Sequence, residues 1–169
     1  MSKQRAVAAA VFLFAIVGVS WIFTQRTSAA PALTTEDYIE IQQLYARYSF
    51  AIDSGDAEAY AATFVPDGTF AGSRRKITGH DALVAFVNNY RDVTKGTRQR
   101  HWISNLLINP TPEGASGAAY LLMVDVSVRP PAIVEAMKYN DRLVKTAQGW
   151  RFKEKAPKAE GAITDPPKP

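Results

Sequence analysis

The side chains able to do chemistry in this chain are few. There is no cysteine, which excludes disulfides, thiolate nucleophiles and cysteine-ligated metals. The two histidines are His80 and His101, so a histidine-rich zinc site is not expected, although a carboxylate-assisted one stays open. Carboxylate and imidazole chemistry remain. Asp53 follows the apolar run Phe50-Ala51-Ile52 and precedes Ser54-Gly55. Either it ends one helix while Asp56 caps the next, or it reaches into a pocket. His101 stands in "RHWISNLLI", where strand alternation puts Ile103, Asn105 and Leu107 on its own face. Taken alone, such a histidine reads as structural. His80, directly after Gly79, reads as a capping or surface residue.

The elements that must position these groups follow from periodicity. Thr34 or Thr35 can cap a helix whose first turn holds Glu36 and Asp37. Ile41, Tyr45, Tyr48 and Ile52 recur at helical spacing, so this helix is expected to run to about Ile52. Asp56 caps a short second helix, "VPDGTF" is a turn into a strand, and "GHDALVAFVNNYRD" is a third helix. Past residue 97 four strand patterns follow: "TRQRHWISNLLINP", "GAAYLLMVDVSVRP", "AIVEAMKYNDRLVKT" and "GWRFKEKA". Turns are expected at Pro110 to Gly117, Pro130-Pro131 and Ala147 to Gly149. Helices followed by hairpins give an α+β fold, with the N-terminal helices packed on one face of a curved antiparallel sheet.

Charge is not concentrated where a polyanion would need it. The formal net charge is +4, but Lys3, Arg5 and Arg26 precede residue 31 and no acid does. The 20 basic residues less these three leave 17 against 16 acids, or +1. Arg74-Arg75-Lys76 is the one basic run, and it reads as a solvated loop, so nucleic-acid binding is not expected.

The ends read differently from the middle. Lys3 and Arg5 precede an uncharged apolar run, residues 6–23, and then "TQRTSAAPAL", the order of a secretory signal. Residues 1–32 are therefore expected to be a signal peptide, cleaved after Ala29 or Ala32, or else a retained N-terminal membrane anchor. Either fate delivers the domain outside the cytoplasm, to the periplasm or the exterior. Membrane contact is expected only through this segment, if it is uncleaved. Residues 33–156 form the folded domain, and residues 157–169, with four prolines from Pro157 onward, read as a disordered tail.

The pieces "YSFAIDSGDAEAYAATFVPDGTF", "ITGHDALVAFV", "RHWISNLLI" and "YNDRLVKTAQGWRFKE", in this order, resemble the SnoaL-like branch of the nuclear-transport-factor-2-like superfamily. That branch holds polyketide cyclases, scytalone dehydratase, bile-acid dehydratases and a dehydrochlorinase. The resemblance covers nearly all of residues 34 to 155 and implies a cone-shaped α+β barrel around one deep, mainly apolar cavity. It also implies a pairing: Asp53 and His101 fall on the positions where dehydratase and dehydrochlorinase members place an aspartate and a histidine. An imidazole in an apolar cavity can take a proton from carbon, while a carboxylate on its other nitrogen fixes the tautomer. Neither a metal nor a cofactor is needed. The family comparison turns the face of Met137, Tyr139 and Asp141 toward the cavity, making these residues candidate substrate contacts with Tyr45, Tyr48, Ile103 and Asn105. Asp141 has an alternative as the ion-pair partner of Arg100 or Arg151. Tyr45 and Tyr48 have one as core, and Trp102 and Trp150 are expected in packing or at a subunit interface. One departure stands out: scytalone dehydratase-like members carry a second cavity histidine, and this chain has none to supply.

The resulting expectation is an exported, cofactor-independent lyase or isomerase acting on a small hydrophobic molecule by elimination, dehydration or proton shift. The alternatives are a non-catalytic extracytoplasmic binding module of the same fold and a dimeric assembly module. Many relatives dimerise, so a homodimer is expected.

Overall fold

The computed structural model describes residues 31–72, 75–94 and 98–159. Of the expected export segment, residues 1–32, residues 1–30 lie outside them, as does the chain beyond residue 159.

Helix α1, Thr35–Ser54, starts where its capping chemistry dictates: the Thr34 hydroxyl accepts from the Asp37 amide at 3.2 Å and the Asp37 carboxylate accepts from the Thr34 amide at 2.9 Å. Asp37 also accepts from Lys145 Nζ at 2.7 Å and from the Trp150 indole at 2.8 Å. One carboxylate thus starts the helix and ties it to the sheet. The apolar stripe Ile41, Leu44, Tyr45, Tyr48 and Ile52 is buried, as helical spacing requires of a helix lying on a core. Gly55, left-handed at φ 72°, ends α1. Asp56 then caps α2, Ala57–Ala61, through the Ala59 amide at 3.0 Å.

The remaining elements are β1 (Phe64–Gly72), β2 (Arg75–Thr78), α3 (His80–Val93), β3 (Gln99–Thr111), β4 (Gly114–Asp125), β5 (Ala132–Thr146), β6 (Gly149–Lys155) and β7 (Pro157–Ala159). Their order in the seven-stranded sheet is β2-β1-β6-β5-β4-β3, with β7 on β5. The α+β architecture with N-terminal helices on a curved sheet is as expected. Its sheet is mixed, because β1 runs parallel to β6, with Phe64 beside Phe152. A parallel pair needs a long crossover, and here everything from β2 to β5 supplies it, a relation that local alternation cannot register. The ends β2 and β3 do not pair with each other, so the sheet stays open.

Three local expectations are corrected. The turn placed at Pro110 to Gly117 is only Pro112-Glu113, since Thr111 already faces Gly114. Pro157 does not begin a structureless tail: β7 pairs with Met137–Tyr139, and proline is tolerated there as the first residue of a short strand. Strand β2 was hidden by the charge of Arg75 and Lys76.

Beneath α1 the core is largely aromatic. Tyr48 meets Tyr60, Phe64, Tyr139 and Phe152 at centroid distances of 5.1 to 6.4 Å, and Phe86 joins through Tyr60 at 6.0 Å. Edge and tilted contacts of this kind add to the area the rings bury.

Candidate active site

Asp53 occupies the last turn of α1, where the negative end of the helix dipole disfavours a carboxylate. Its partners offset that cost. β3 is an edge strand, and the His101 amide points away from β4 toward Asp53, at 3.2 and 3.1 Å from the two carboxylate oxygens. His101 Nδ1 lies 2.6 Å from Asp53 Oδ1. The Asp53 and His101 side chains are 12 % and 9 % exposed. A carboxylate can only accept, so Nδ1 carries a proton, and in the neutral ring it is Nε2 that holds the free lone pair. Nε2 has no hydrogen-bond partner among the described residues.

His101 borders a cavity of about 470 Å³ between the helices and the sheet. Ile52, Phe70, Phe86, Leu121, Met123 and Met137 make its walls apolar, and Tyr48 and Tyr139 lie at its floor. Tyr90, whose ring centroid is 6.5 Å from that of His101, closes the helical side. The Tyr90 hydroxyl donates to Gln99 Oε1 at 2.5 Å. Burial, with Asp53 and Glu135 nearby, pushes the Tyr90 phenol up to about 12. Asn89, Arg75 and Glu135 bring polar groups to the same cavity.

The other expected site residues divide. Tyr48, Met137 and Tyr139 line the cavity with His101. Tyr45, Asp141, Ile103 and Asn105 do not; Tyr45 and Ile103, with Asp53 and His101, line a neighbouring groove instead. Asn105 is exposed with φ 55° because β3 bulges there: Ser104 faces Tyr120 and Leu107 faces Ala118, leaving two residues opposite Ala119. The bulge also carries Leu107 to the outer face, 60 % exposed. Ile103 lines that neighbouring groove, of about 500 Å³, between α1 and the β3 edge.

Tyr45 and Asp141 belong to a buried polar centre below the cavity floor. Asp141 accepts from Lys155 Nζ at 2.9 Å, the Tyr45 hydroxyl at 2.6 Å and the Ala156 amide at 2.9 Å. The alternative partners do other work: Arg100 donates to the Gln99 carbonyl and to the Asp53 carbonyl, and Arg151 to the Trp150 carbonyl. Lys155 is fully buried, and its ammonium lies 3.4 Å from the Tyr139 ring centroid and 4.4 to 4.6 Å from those of Tyr45, Tyr48 and Phe152. Such faces favour a cation. Burial still pulls the lysine down to about 8, against the opposing effect of Asp141. Nothing in the sequence marks Lys155, because "RFKEKA" alternates like any surface strand.

His80 lies at the start of α3, 48 % exposed and 3.2 Å from Glu58. Trp150 is buried and Trp102 is 55 % exposed. Among the described residues no three His, Cys, Asp or Glu side chains gather to hold a metal ion.

The family described as a SnoaL-like domain matches residues 33–156. Comparison with curated proteins finds no match. Among solved structures, a protein of unknown function from Mycobacterium tuberculosis is 27 % identical, with a TM-score of 0.69 over 80 % of this chain and 82 % of that one. A Catenulispora acidiphila protein in complex with S-DNPA is 27 % identical, with a TM-score of 0.65 over 73 % of this chain and 95 % of its own. ActVI-ORFA from Streptomyces coelicolor, 22 % identical with a TM-score of 0.66 over 73 % of this chain and 97 % of its own, shares the fold.

Proposed function

Given that the chain belongs to the SnoaL-like family, we propose that it is an exported, cofactor-independent lyase or isomerase acting on a small hydrophobic molecule. The observation that carries this reading is the 2.6 Å contact between Asp53 and His101, whose side chain borders an apolar cavity. His101 Nε2 takes a proton from a carbon of the bound molecule, and Asp53 holds the imidazolium that forms. The electrons of the broken C–H bond become a new carbon–carbon double bond. In an elimination the neighbouring group leaves with its own bonding pair; in an isomerisation His101 returns the proton to a different carbon. General-base catalysis of this kind is worth roughly 10²–10⁴-fold in rate. The order of basic, apolar and small residues at the N-terminus supports export. Trp102, Leu107 and Tyr120, exposed on the outer sheet face, support a homodimer.

Imidazole ¹⁵N NMR on the whole protein tests the pairing. In the wild type His101 is expected as the Nδ1–H tautomer, relaxing to a mixture in Asp53→Asn. The same mixture in both proteins would sink the assignment. For a substrate that turns over, His101→Ala is expected to remove at least about 10²-fold of the rate while binding persists. The apolar lining equally favours a second reading, a non-catalytic carrier of the same ligand class. That reading predicts binding without product and no rate for His101→Ala to reduce.

A further inference from the structure

We propose that the molecule held in this cavity carries a carboxylate, and that Arg75 binds it. The inference rests on the cavity being the ligand site, and it begins with the pairing of β1 and β2. Phe70 faces Ile77 and Gly72 faces Arg75. Residues directly opposite in an antiparallel pair share a face of the sheet, so Arg75 lies on the side of Phe70, which lines the cavity. Lys76 faces Ala71 and so belongs to the other face. Within the basic run, alternation thus turns one described cation inward and one outward.

The Arg75 guanidinium is uncommitted. It makes no ion pair or hydrogen bond among the described residues, whereas Arg142 is held by Glu154 at 2.9 Å and Arg100 by backbone carbonyls. A guanidinium bordering a largely apolar cavity has the planar fork that fits a carboxylate with two parallel hydrogen bonds.

Of the acidic groups near the cavity, Asp53 is paired with His101 of β3, at the other edge of the sheet, and Glu135 stands on the interior strand β5. His101 faces Met123, and Met123 faces Glu135, so His101, Met123 and Glu135 form a row across three strands. At the usual strand spacing the backbones of His101 and Glu135 are about 10 Å apart. That row reaches β3, one edge of the sheet, and Arg75 is on β2, the other edge. An anionic group on the ligand is repelled by Asp53 and Glu135 and drawn to Arg75. The molecule is therefore oriented with its acid end at β2 and its apolar body across the floor. A carbon distant from the carboxylate then comes to His101.

The test is equilibrium titration of the full chain with 2-naphthoate and with 2-naphthamide, its uncharged analogue, at low ionic strength. The expected result is that naphthoate binds about three- to ten-fold more tightly, and that the preference shrinks in high salt. Arg75→Gln is expected to erase the preference by weakening naphthoate alone, and Arg75→Lys to restore part of it. Arg75 is exposed on a short edge strand, and unchanged naphthamide binding by the variant shows that the cavity is intact. Equal binding of the two probes by the wild type, or a preference that survives Arg75→Gln, would overturn the carboxylate and leave the cavity reading in place. Binding of neither probe would overturn both.

Discussion

Asp53 illustrates how a single residue is placed at a local cost that a distant partner offsets. At the C-terminal end of a helix its charge is unfavourable, and two contacts from the His101 amide and one from its ring make the position tenable. Gly117 is the other residue whose identity is imposed from afar. It faces Asp141 across the β4–β5 pair, and a Cβ there would overlap the Tyr45 hydroxyl. The missing side chain is the space through which Tyr45 reaches Asp141. Gly117→Ala is therefore expected to lose about 1–3 kcal/mol of stability, read as a lower urea midpoint with an unchanged slope. A variant as stable as the wild type would show that Tyr45 can move without loss.

At the scale of elements, the ion pair of Asp141 and Lys155 joins α1, β5, β6 and the residue leading into β7 through one carboxylate. Burying two charges is costly, and the gain comes from their mutual contact and from the hydrogen bonds around them. Removing one partner strands the other. Asp141→Ala is expected to cost about 3–5 kcal/mol, while the double change Asp141→Leu with Lys155→Met recovers most of the loss. Denaturant unfolding of the two variants measures both. If the single and double variants are equally unstable, the pair is not what couples these elements. The same centre lies directly beneath the cavity floor, since Tyr48 and Tyr139 line the cavity on one side and meet the Lys155 ammonium on the other.

For the molecule as a whole, these groups set how stability depends on pH. Asp37 is held well below the usual carboxylate range, first by Lys145 and then by Thr34 and Trp150. Its contribution is complete above its unfolded value of 3.8 and is lost as the solution becomes more acidic. Lys155 acts in the opposite range. With a folded pKa of about 8 against 10.5 for an ordinary lysine, the unfolded chain binds more protons between those values, so stability rises with pH across that window. Tyr45, Tyr48, Tyr60 and Tyr139 are all raised above 10.0, chiefly by burial. The stability they contribute is lost as pH climbs past that value. Urea midpoints are therefore expected to fall below about pH 4, to be higher near pH 9.5 than near pH 7, and to fall again above about pH 10.5. A midpoint that is flat between pH 7 and 9.5 would contradict the assignment of Lys155.

The sequence by itself determined the local elements. Thr34 and Asp56 are helix caps because their oxygens satisfy amides three residues on, and the stripe from Ile41 to Ile52 is buried because helical spacing leaves it one face. The long strands β3 to β6 follow from alternation and punctuation. The tertiary structure decided what depends on partners far apart in the chain. The bulge at Asn105 shifts parity, so residues beyond it no longer share the face of His101. The parallel pairing of β1 with β6 requires the whole intervening chain. Asp141 found Lys155 rather than an arginine, because β5 and β6 diverge just where β7 takes over the edge of β5. The inward turn of Arg75 depends on which residue of β1 it faces. Periodicity assigns a residue to a face within its own element; only register and packing decide what that face meets.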